Sequence, residues 1–291
     1  MRFDPPERFW AFNPSIVRMP DHRLLCAVRC ASYHRTMGKR LPRVIQNRNF
    51  LLEIDPQTLA TRSATEILES PAVAALSRKP ASVSGFDDLR ITHTKADGLV
   101  AIANTAEFFN GTKREIAVLD LDPQTFQITA VQILRGEAWS KGHQKNWTPF
   151  VGTPELRLVY SIERGGIHRR DGRISTPCWI ERYKLRGGSQ LVAAKNLGWL
   201  GIAHGVTDAG SARRDYWHMF HLSDQMGRVL AYSSAFKLTE HPIEFAAGLV
   251  IDPTCGRVVI SYGVEDDRAM FGVTDLDSVL GTLRPVARST S

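Results

Sequence analysis

Two aspartates stand side by side in Gly85-Phe86-Asp87-Asp88-Leu89-Arg90, with an arginine two residues further on. A carboxyl group that gives up a proton in catalysis needs a raised pKa, and a second carboxylate beside it in a dry cleft supplies that shift. The same residues also suit an Asp-Asp turn paired with Arg90. Cations that could meet such a pair occur at Arg29, at Arg48 in Asn47-Arg48-Asn49, at Lys145, and at Arg186 in Arg186-Gly-Gly-Ser189. A guanidinium grips an oxyanion through two parallel hydrogen bonds, so Arg29 or Arg48 could hold a phosphate or sugar hydroxyls, although arginine is also common on strand surfaces. Lys145 leads into Asn146-Trp147-Thr148-Pro149-Phe150, a composition that solvated lysines rarely keep. Trp147 could offer its apolar face to a pyranose ring or sit in the core.

His204 lies in the otherwise apolar run Leu200–Val206, where a histidine is either a satisfied core residue or a ligand. Tyr216 and His218, two apart, would share one face of a strand. Glu244 is flanked by Ile243 and Phe245 and therefore needs a buried partner or a site to face. Ser261-Tyr262-Gly-Val-Glu265-Asp266-Asp267 reads as a strand running into an acidic tip, which could aim Glu265 or Asp266 at a channel mouth or simply be solvated. The motifs Gly-x-Ser-x-Gly, Gly-x-x-x-x-Gly-Lys-Ser/Thr, Gly-x-Gly-x-x-Gly and His-Glu-x-x-His do not occur, which disfavours serine hydrolases, P-loop enzymes, dinucleotide oxidoreductases and zincins. The four cysteines show no zinc spacing and are expected to be ordinary buried residues, Cys26 and Cys30 on one strand face. No metal and no cofactor is expected.

The elements that must position these residues read as strands. Short apolar runs at Arg23–Arg29, Asn49–Ile54, Leu99–Asn104, Glu115–Leu121, Leu156–Ile162, Cys178–Tyr183, Leu230–Phe236 and Arg257–Tyr262 are bounded by Gly, Pro, Asp or Asn. Helical periodicity is confined to Thr65–Arg78, interrupted by Pro71, and a weak stretch at Leu276–Leu280. Phe50–Leu59 and Ala117–Phe126 match at an offset of 67 residues, each a strand running into Asp-Pro-Gln-Thr, and Leu249–Thr254 echoes them. Asp bonds the backbone and Pro presets the turn, which is how a strand ends before a hairpin. A second series consists of Asn13-Pro-Ser-Ile16, Gly85–Arg90, Lys145–Phe150, Arg186–Ser189 and Ile243–Gly248. Five such motifs in 291 residues average about 58 per unit, a little above a four-stranded propeller blade. An all-β, five-bladed propeller of antiparallel four-stranded blades follows, forming one domain over residues 1–291, with one polar motif per blade converging on a central channel.

Composition narrows the partners. The chain carries a formal charge of +7, yet its basic residues are scattered, without a run of five or an amphipathic basic helix. That pattern argues against nucleic acid and suits a small anionic ligand held by a few convergent cations. No apolar run is long enough to span a bilayer, and the first ten residues lack a signal-peptide core, so a cytoplasmic location is expected.

Taken together, Asn13-Pro-Ser-Ile16, Gly85-Phe-Asp-Asp-Leu-Arg90, Lys145-Asn-Trp-Thr-Pro-Phe150, His204-Gly-Val206 and Ser261-Tyr-Gly-Val-Glu-Asp266 resemble, in this order, the five-bladed propellers of glycoside hydrolase family 130 and related mannosyl-transferring propellers. The resemblance implies an inverting enzyme that moves a sugar, mannose in many members, between a phosphate or nucleotide donor and a saccharide acceptor. It implies Asp88 as general acid, with Asp87 standing where the family has Glu and Leu89 where it has Pro. Asn13, Arg29, Arg48, Asn49, Arg90, Lys145, Asn146, Trp147, Arg186, His204, Tyr216, Glu244, Tyr262, Glu265 and Asp266 are the expected substrate contacts. An inverting hydrolase and a non-catalytic glycan-binding propeller are the alternatives, and a homo-oligomer is allowed.

Overall fold

The computed structural model describes residues 1–33, 42–108, 111–134, 144–160, 162–163, 166–170, 185–208 and 214–286. Five antiparallel sheets follow one another along the chain as the blades of a propeller. Blade 1 is β1 (Trp10–Arg18), β2 (Leu24–Ala31), β3 (Ile45–Ile54) and β4 (Thr61–Glu66). A short helix, α1 (Pro71–Ala74), and β5 (Val83–Ser84), parallel to the start of β3, lead into blade 2. Blade 2 is β6 (Asp87–Thr94), β7 (Gly98–Thr105), β8 (Glu115–Leu121) and β9 (Ile128–Leu134). Blade 3 shows three short strands, β10 (Thr148–Pro149), β11 (Arg157–Val159) and β12 (His168–Arg169). Blade 4 has an interrupted inner strand, β13 (Arg186–Gly187) and β14 (Val192–Ala193), followed by β15 (Trp199–Asp208), β16 (Arg214–Ser223) and β17 (Val229–Tyr232). Blade 5 is β18 (Glu244–Ile251), β19 (Arg257–Val264) and β20 (Arg268–Asp275), after which α2 (Leu276–Thr282) and β21 (Arg284–Pro285) close the described chain.

Apolar packing runs around the ring between neighbouring blades. Leu25 and Ile91 share the cluster between blades 1 and 2, and Ile102 and Leu158 that between blades 2 and 3. Phe150, Leu191 and Ala203 pack between blades 3 and 4, Ile202 and Leu249 between blades 4 and 5, and Cys26 and Val259 between blades 5 and 1. Strands covered on both faces read as unbroken apolar runs, which is why β2, β7, β8 and β19 were visible in the sequence. The innermost strands β1, β6 and β18 were visible only as polar motifs, because channel residues interrupt their apolar pattern.

Those five motifs do fall one to a blade, each where the inner strand is distorted. The β1–β2 register slips between Phe12 and Ser15, β6–β7 between Asp87 and Arg90, and β18–β19 between Ala246 and Gly248. In blade 4 the N–H groups of Gly188 and Ser189 both donate to Ile202 O, and in blade 3 Asn146, just before β10, has φ +60°. A bulge re-aims one side chain and leaves ladder groups unpaired. Serines satisfy them: Ile91 N donates to Ser15 Oγ (3.1 Å), Ile202 N to Ser189 Oγ (2.9 Å) and Ile16 N to Ser261 Oγ (3.2 Å).

Several expectations change. Blades 3 and 5 show three strands each among the described residues, and β21 pairs with β17 of blade 4 rather than completing blade 5. Blades 1 and 5 therefore meet through side chains. Ser261 Oγ donates to Pro14 O (2.6 Å), Arg18 pairs with Asp252 (2.9 Å), and a Cβ on Gly263 would fall 2.3 Å from Asn13 Oδ1. The Asp-Pro-Gln-Thr repeats are equivalent turns between the third and fourth strands of blades 1 and 2, with Asp55 accepting from Thr58 N and Asp122 from Thr125 N. The third copy, at Asp252, instead joins the first two strands of blade 5. The expected helical stretch at 65–78 gives up its start to β4 and keeps only α1, because Pro71 fits the first helical turn after the Ser70 cap and no position before it. Leu276–Leu280 does form a helix, capped by Asp275. Cys26 and Cys30 are buried on one face, whereas Cys255 is exposed. The run Cys178–Tyr183 lies outside the described residues.

Ser261 satisfies two backbone groups at the blade 1–blade 5 seam. Ser261→Ala should lower the unfolding free energy by about 1–3 kcal/mol, the usual cost of stranding buried hydrogen-bonding groups, measured by urea denaturation; an unchanged midpoint would mean the seam does not depend on it.

Candidate active site

Arg90 organises the site. It leaves β6 just after the bulge, and its guanidinium is fully buried. Nε donates to Gly188 O of blade 4 (2.7 Å), Nη2 to Asn146 Oδ1 before blade 3 (3.3 Å) and Nη1 to Asp88 O of blade 2 (3.4 Å). Its carbon lies 5.2 Å from the Phe245 ring centre on blade 5. Burial lowers the Arg90 pKa to about 10 even with Asp88 and Asp87 nearby, which still leaves a cation at neutral pH.

Asp88 has φ +53°, a left-handed conformation forced by the bulge. Its Oδ1 accepts from Asn13 Nδ2 (3.0 Å) and Arg29 Nη1 (2.9 Å). Arg29 is steered by Asn47, whose Oδ1 accepts from Nε (2.8 Å), and by the Phe12 ring 4.9 Å away. Oδ2 of Asp88 has no hydrogen bond among the described residues, and 19 % of the side chain is exposed. Burial pushes the Asp88 carboxyl up, but the Arg29 charge, the Asn13 bond and the Arg90 charge outweigh it and hold the pKa at about 2. Asp87 points elsewhere. Its side chain is 3 % exposed, its Oδ2 lies 3.2 Å from Arg114 Nη2, and its Oδ1 has no partner among the described residues. Burial raises its pKa and the neighbouring Asp88 charge adds to this, against Arg29, Arg114 and Lys145. Lys145 is itself pushed down by burial and by Arg114.

Other expected residues divide. Tyr216 stacks on His204 (5.8 Å, 16°), and Phe245 meets His204 edge-on (4.9 Å, 83°), so this pair borders Arg90. Burial, with His218, Arg90 and Arg186 close by, holds His204 neutral, so it contributes no cation. Arg186, on β13 opposite His204, is exposed. Asp266 accepts from Tyr33 Oη (3.4 Å), and Tyr33 lies beside Arg29 with its ring centre 5.9 Å from the guanidinium.

The rest lie outside this group. Arg48 is on the opposite face of β3 from Asn49, because successive strand residues alternate, and it pairs with Glu66 on β4. Asn49 is buried and donates to Phe86 O (2.9 Å). Trp147 is a core residue between blades 2 and 3. Tyr262 packs in the cluster between blades 4 and 5. Glu244 is fully buried, accepting from Leu238 N, Thr239 N and Thr239 Oγ1, with His218 Nδ1 at 3.4 Å. Glu265 accepts from Ile243 N (3.3 Å). The sequence reading missed Tyr33, Asn47, Arg114 and Phe245; Asn47 stands beside Arg48 and Phe245 inside the Ile243–Gly248 motif, whereas Tyr33 and Arg114 stand in no motif. Among the described residues no cluster of His, Cys, Asp or Glu could hold a metal ion, and no helix is long and apolar enough to cross a membrane.

The architecture is that of the five-bladed propellers found among carbohydrate-processing enzymes. A β-1,2-mannobiose phosphorylase from Listeria innocua, solved with β-1,2-mannobiose, superposes over 96 % of this chain and 94 % of its own with a TM-score of 0.59 and 13 % identity. A mannose phosphorylase from Leishmania mexicana, solved with phosphate, covers 99 % of this chain and 92 % of its own with a TM-score of 0.56 and 14 % identity. An α-L-arabinofuranosidase from Podospora anserina, in complex with cellotriose, covers 94 % and 92 % with a TM-score of 0.51 and 9 % identity. No protein-family model matches the sequence, and no curated protein matches it.

The opposed shifts of the two aspartates have opposite consequences for stability. Asp88, held below its ordinary value of 3.8, stabilises the fold above that pH and loses the contribution as pH falls toward 2. Asp87, shifted upward, costs stability once it ionises. At pH 7, Asp88→Asn should cost on the order of 2 kcal/mol, shrinking toward pH 3, while Asp87→Asn should cost less or stabilise. Urea titrations at the two pH values check both signs.

Glu265 and Asp266 occupy the centre of the turn Val264–Asp267 with φ +54° and +57°, positions that favour Asn and Gly. Asp266→Gly should raise stability by about 0.5–1 kcal/mol, read by thermal melting. A loss of stability would show that the Tyr33 contact outweighs the backbone strain.

Proposed function

We propose that this chain is an inverting glycoside phosphorylase, a single catalytic propeller over residues 1–291 that transfers mannose between a saccharide and phosphate in the cytoplasm. The observation that carries the reading is the convergence of Arg29, Arg90, Arg114 and Lys145 on Asp87 and Asp88. Phosphorolysis needs one acid/base carboxyl and a cationic pocket for the attacking oxyanion. The solved propellers of like fold, two of them phosphorylases with mannobiose or phosphate bound, support mannose and phosphate as the pair.

Asp88 is the acid/base residue in this proposal. With Oδ1 committed to Asn13 and Arg29, a transferred proton can reside only on Oδ2. Held ionised against its burial by Arg29, Asn13 and Arg90, Asp88 lacks the raised pKa expected of a resting general acid and is set as the base: in glycoside synthesis its carboxylate takes the acceptor hydroxyl's proton, and in phosphorolysis the same oxygen, once protonated, returns it to the departing saccharide. Arg90 fixes the main chain on which Asp88 sits, and His204 with Tyr216 supplies neutral hydrogen-bonding groups on the blade 4 side. A hydrolase is the second reading, favoured by Asp266 on blade 5, a carboxylate near the cluster that could activate water.

Incubation with β-mannobiose, with and without inorganic phosphate, decides between them: phosphate-dependent formation of mannose 1-phosphate supports phosphorolysis, and phosphate-independent release of mannose supports hydrolysis. Asp88→Asn should lower kcat by about 10²–10⁴-fold, the usual worth of general acid catalysis, with saccharide affinity changed far less. Full turnover by that variant would remove Asp88 from the mechanism. Binding of mannosides without turnover would make the protein a glycan-binding propeller.

A further inference from the structure

A line of hydrogen bonds runs into Asp88 from Glu107, a carboxylate buried just past the end of β7. Glu107 Oε1 accepts from Ser84 Oγ (2.8 Å) and Oε2 from Gly85 N (3.1 Å), and Arg78 Nη1 donates to Oε2 as well (3.3 Å). These bonds pin the two residues that precede Phe86 and the aspartate pair. From the other side, two asparagines on one face of β3 hold the same segment. Asn47 Nδ2 donates to Ser84 O (3.1 Å) and Asn49 Nδ2 to Phe86 O (2.9 Å). Gly85 lies so close to β3 that a Cβ would fall 3.1 Å from Asn47 O, and its φ of +82° favours glycine. Of the two asparagines, Asn47 also reaches Arg29. A carbonyl can only accept, so the amide end on Ser84 O is Nδ2 and the other end is Oδ1, which accepts from Arg29 Nε (2.8 Å). The guanidinium is planar, so fixing the Nε–H direction also fixes where Nη1 points, and Nη1 donates to Asp88 Oδ1 (2.9 Å). The Phe12 ring attracts the same cation as a whole and does not select which edge of it meets Asp88.

We propose that Asn47 is a positioning residue for the acid/base chemistry of Asp88: it ties Arg29 to the Glu107-pinned start of the aspartate segment, keeping Nη1 on Oδ1 and leaving Oδ2 for proton exchange. Asn47 acquires this role on the reading of Asp88 as the acid/base residue given above. Burial alone would raise the Asp88 pKa, and the Arg29 charge is the largest influence against it, ahead of the Asn13 bond and the Arg90 charge. An Arg29 released from Asn47 can swing its guanidinium away from Oδ1, and the carboxylate then loses a charge-assisted bond together with part of its counter-charge. The other charged or titratable groups within reach of Asp88 are Asp87 and Arg90 from its own strand, Tyr33 after β2, Lys145 before β10 and Tyr216 from β16, with Asp266 beyond Tyr33. None of these bonds the Asn47 amide, whose partners are Arg29 and Ser84. Loss of the amide therefore reaches Asp88 by one of two routes, through Arg29 or through the Ser84–Phe86 main chain. Asn49 separates them, because it holds that main chain and does not touch Arg29.

Carbon NMR of the aspartate carboxyl groups, titrated from about pH 7 to about pH 3, reads the effect without any substrate; the Asp88 signal is the one missing from Asp88→Asn. Wild-type Asp88, with its pKa at about 2, should stay ionised throughout. In Asn47→Ala its midpoint should rise into the titrated range, by about one unit or more, the usual scale for an arginine beside an aspartate. Asn49→Ala should lower Tm and leave Asp88 ionised over the same range. If Asn47→Ala does not fold, Asn47→Thr carries the same expectation, because threonine suits a strand and is too short to join Arg29 to Ser84 O. An Asp88 that stays ionised in the Asn47 variant gives Asn47 a merely structural role and overturns the inference. An equal shift in Asn49→Ala assigns the effect to the main chain and overturns it as well. Under the acid/base reading, the acid limb of kcat/KM for glycoside synthesis should move up in pH together with the Asp88 midpoint. A displaced midpoint with an unmoved limb takes Asp88 out of the reaction and leaves Asn47 as the residue that aims Arg29.

Discussion

A single buried guanidinium holds the centre of this propeller together. Arg90 reaches from blade 2 to the backbone of blade 4, to Asn146 at the entrance of blade 3, back to the carbonyl of Asp88, and over the ring of Phe245 in blade 5. Burying a cation is costly unless its donors are satisfied and opposite charge is near. Arg90 meets both conditions only if the blades stand in their observed order around it. The planar fork of arginine fits three acceptors at fixed angles, which a lysine's point charge cannot imitate. The cation that stabilises ionised Asp88 is thus also the tie between four blades, and site and fold constrain one another.

The bulges carry the second constraint. Turning Asn13, Asp88 and Asn146 toward the centre requires left-handed backbone at three residues that are not glycine. Such conformations persist where the surroundings over-determine them. Here the surroundings are the serines that pair the displaced N–H groups, and the glycines whose missing Cβ lets backbones approach. A side chain at Gly188 would meet Ile202 O at 2.6 Å and Ala246 O at 2.8 Å. Since blades 1 and 5 share no strand among the described residues, Ser261 and the bare backbone of Gly248 and Gly263 take over closure of the ring. The same serine-and-glycine chemistry that permits the bulges thereby seals the seam.

The two aspartates show how neighbouring groups of one type acquire different chemistry. Asp88 has two donors on one oxygen and partial access to the channel, so it stays ionised and reachable. Asp87, one residue earlier, turns into the blade, has the Arg114 guanidinium 3.2 Å from one oxygen, and is desolvated. Strand alternation sends them in different directions, and the bulge widens the divergence.

The sequence by itself determined the elements that depend on local pattern. Short apolar runs specified strands because both faces of most blade strands are covered, and Asp-Pro-Gln-Thr specified hairpins because the aspartate closes its own turn. One polar motif per blade was legible as well, since Asn13-Pro-Ser and Asp88-Leu-Arg90 break the apolar pattern wherever an inner strand bulges. Tertiary structure alone decided what each polar residue faces. Arg48 and Arg29 are both strand arginines, yet one pairs with Glu66 on the outer part of blade 1 and the other grips Asp88, a difference set by strand face and by which blade lies alongside. Trp147 and Tyr262 went to the core because neighbouring blades cover them. Arg114 and Tyr33 entered the site from segments without any motif, and Phe245 from a motif read for its glutamate. Charge and hydrogen-bond partners come from residues as far apart as Asn13 and Asp88, and only closure of the ring brings them within bonding distance.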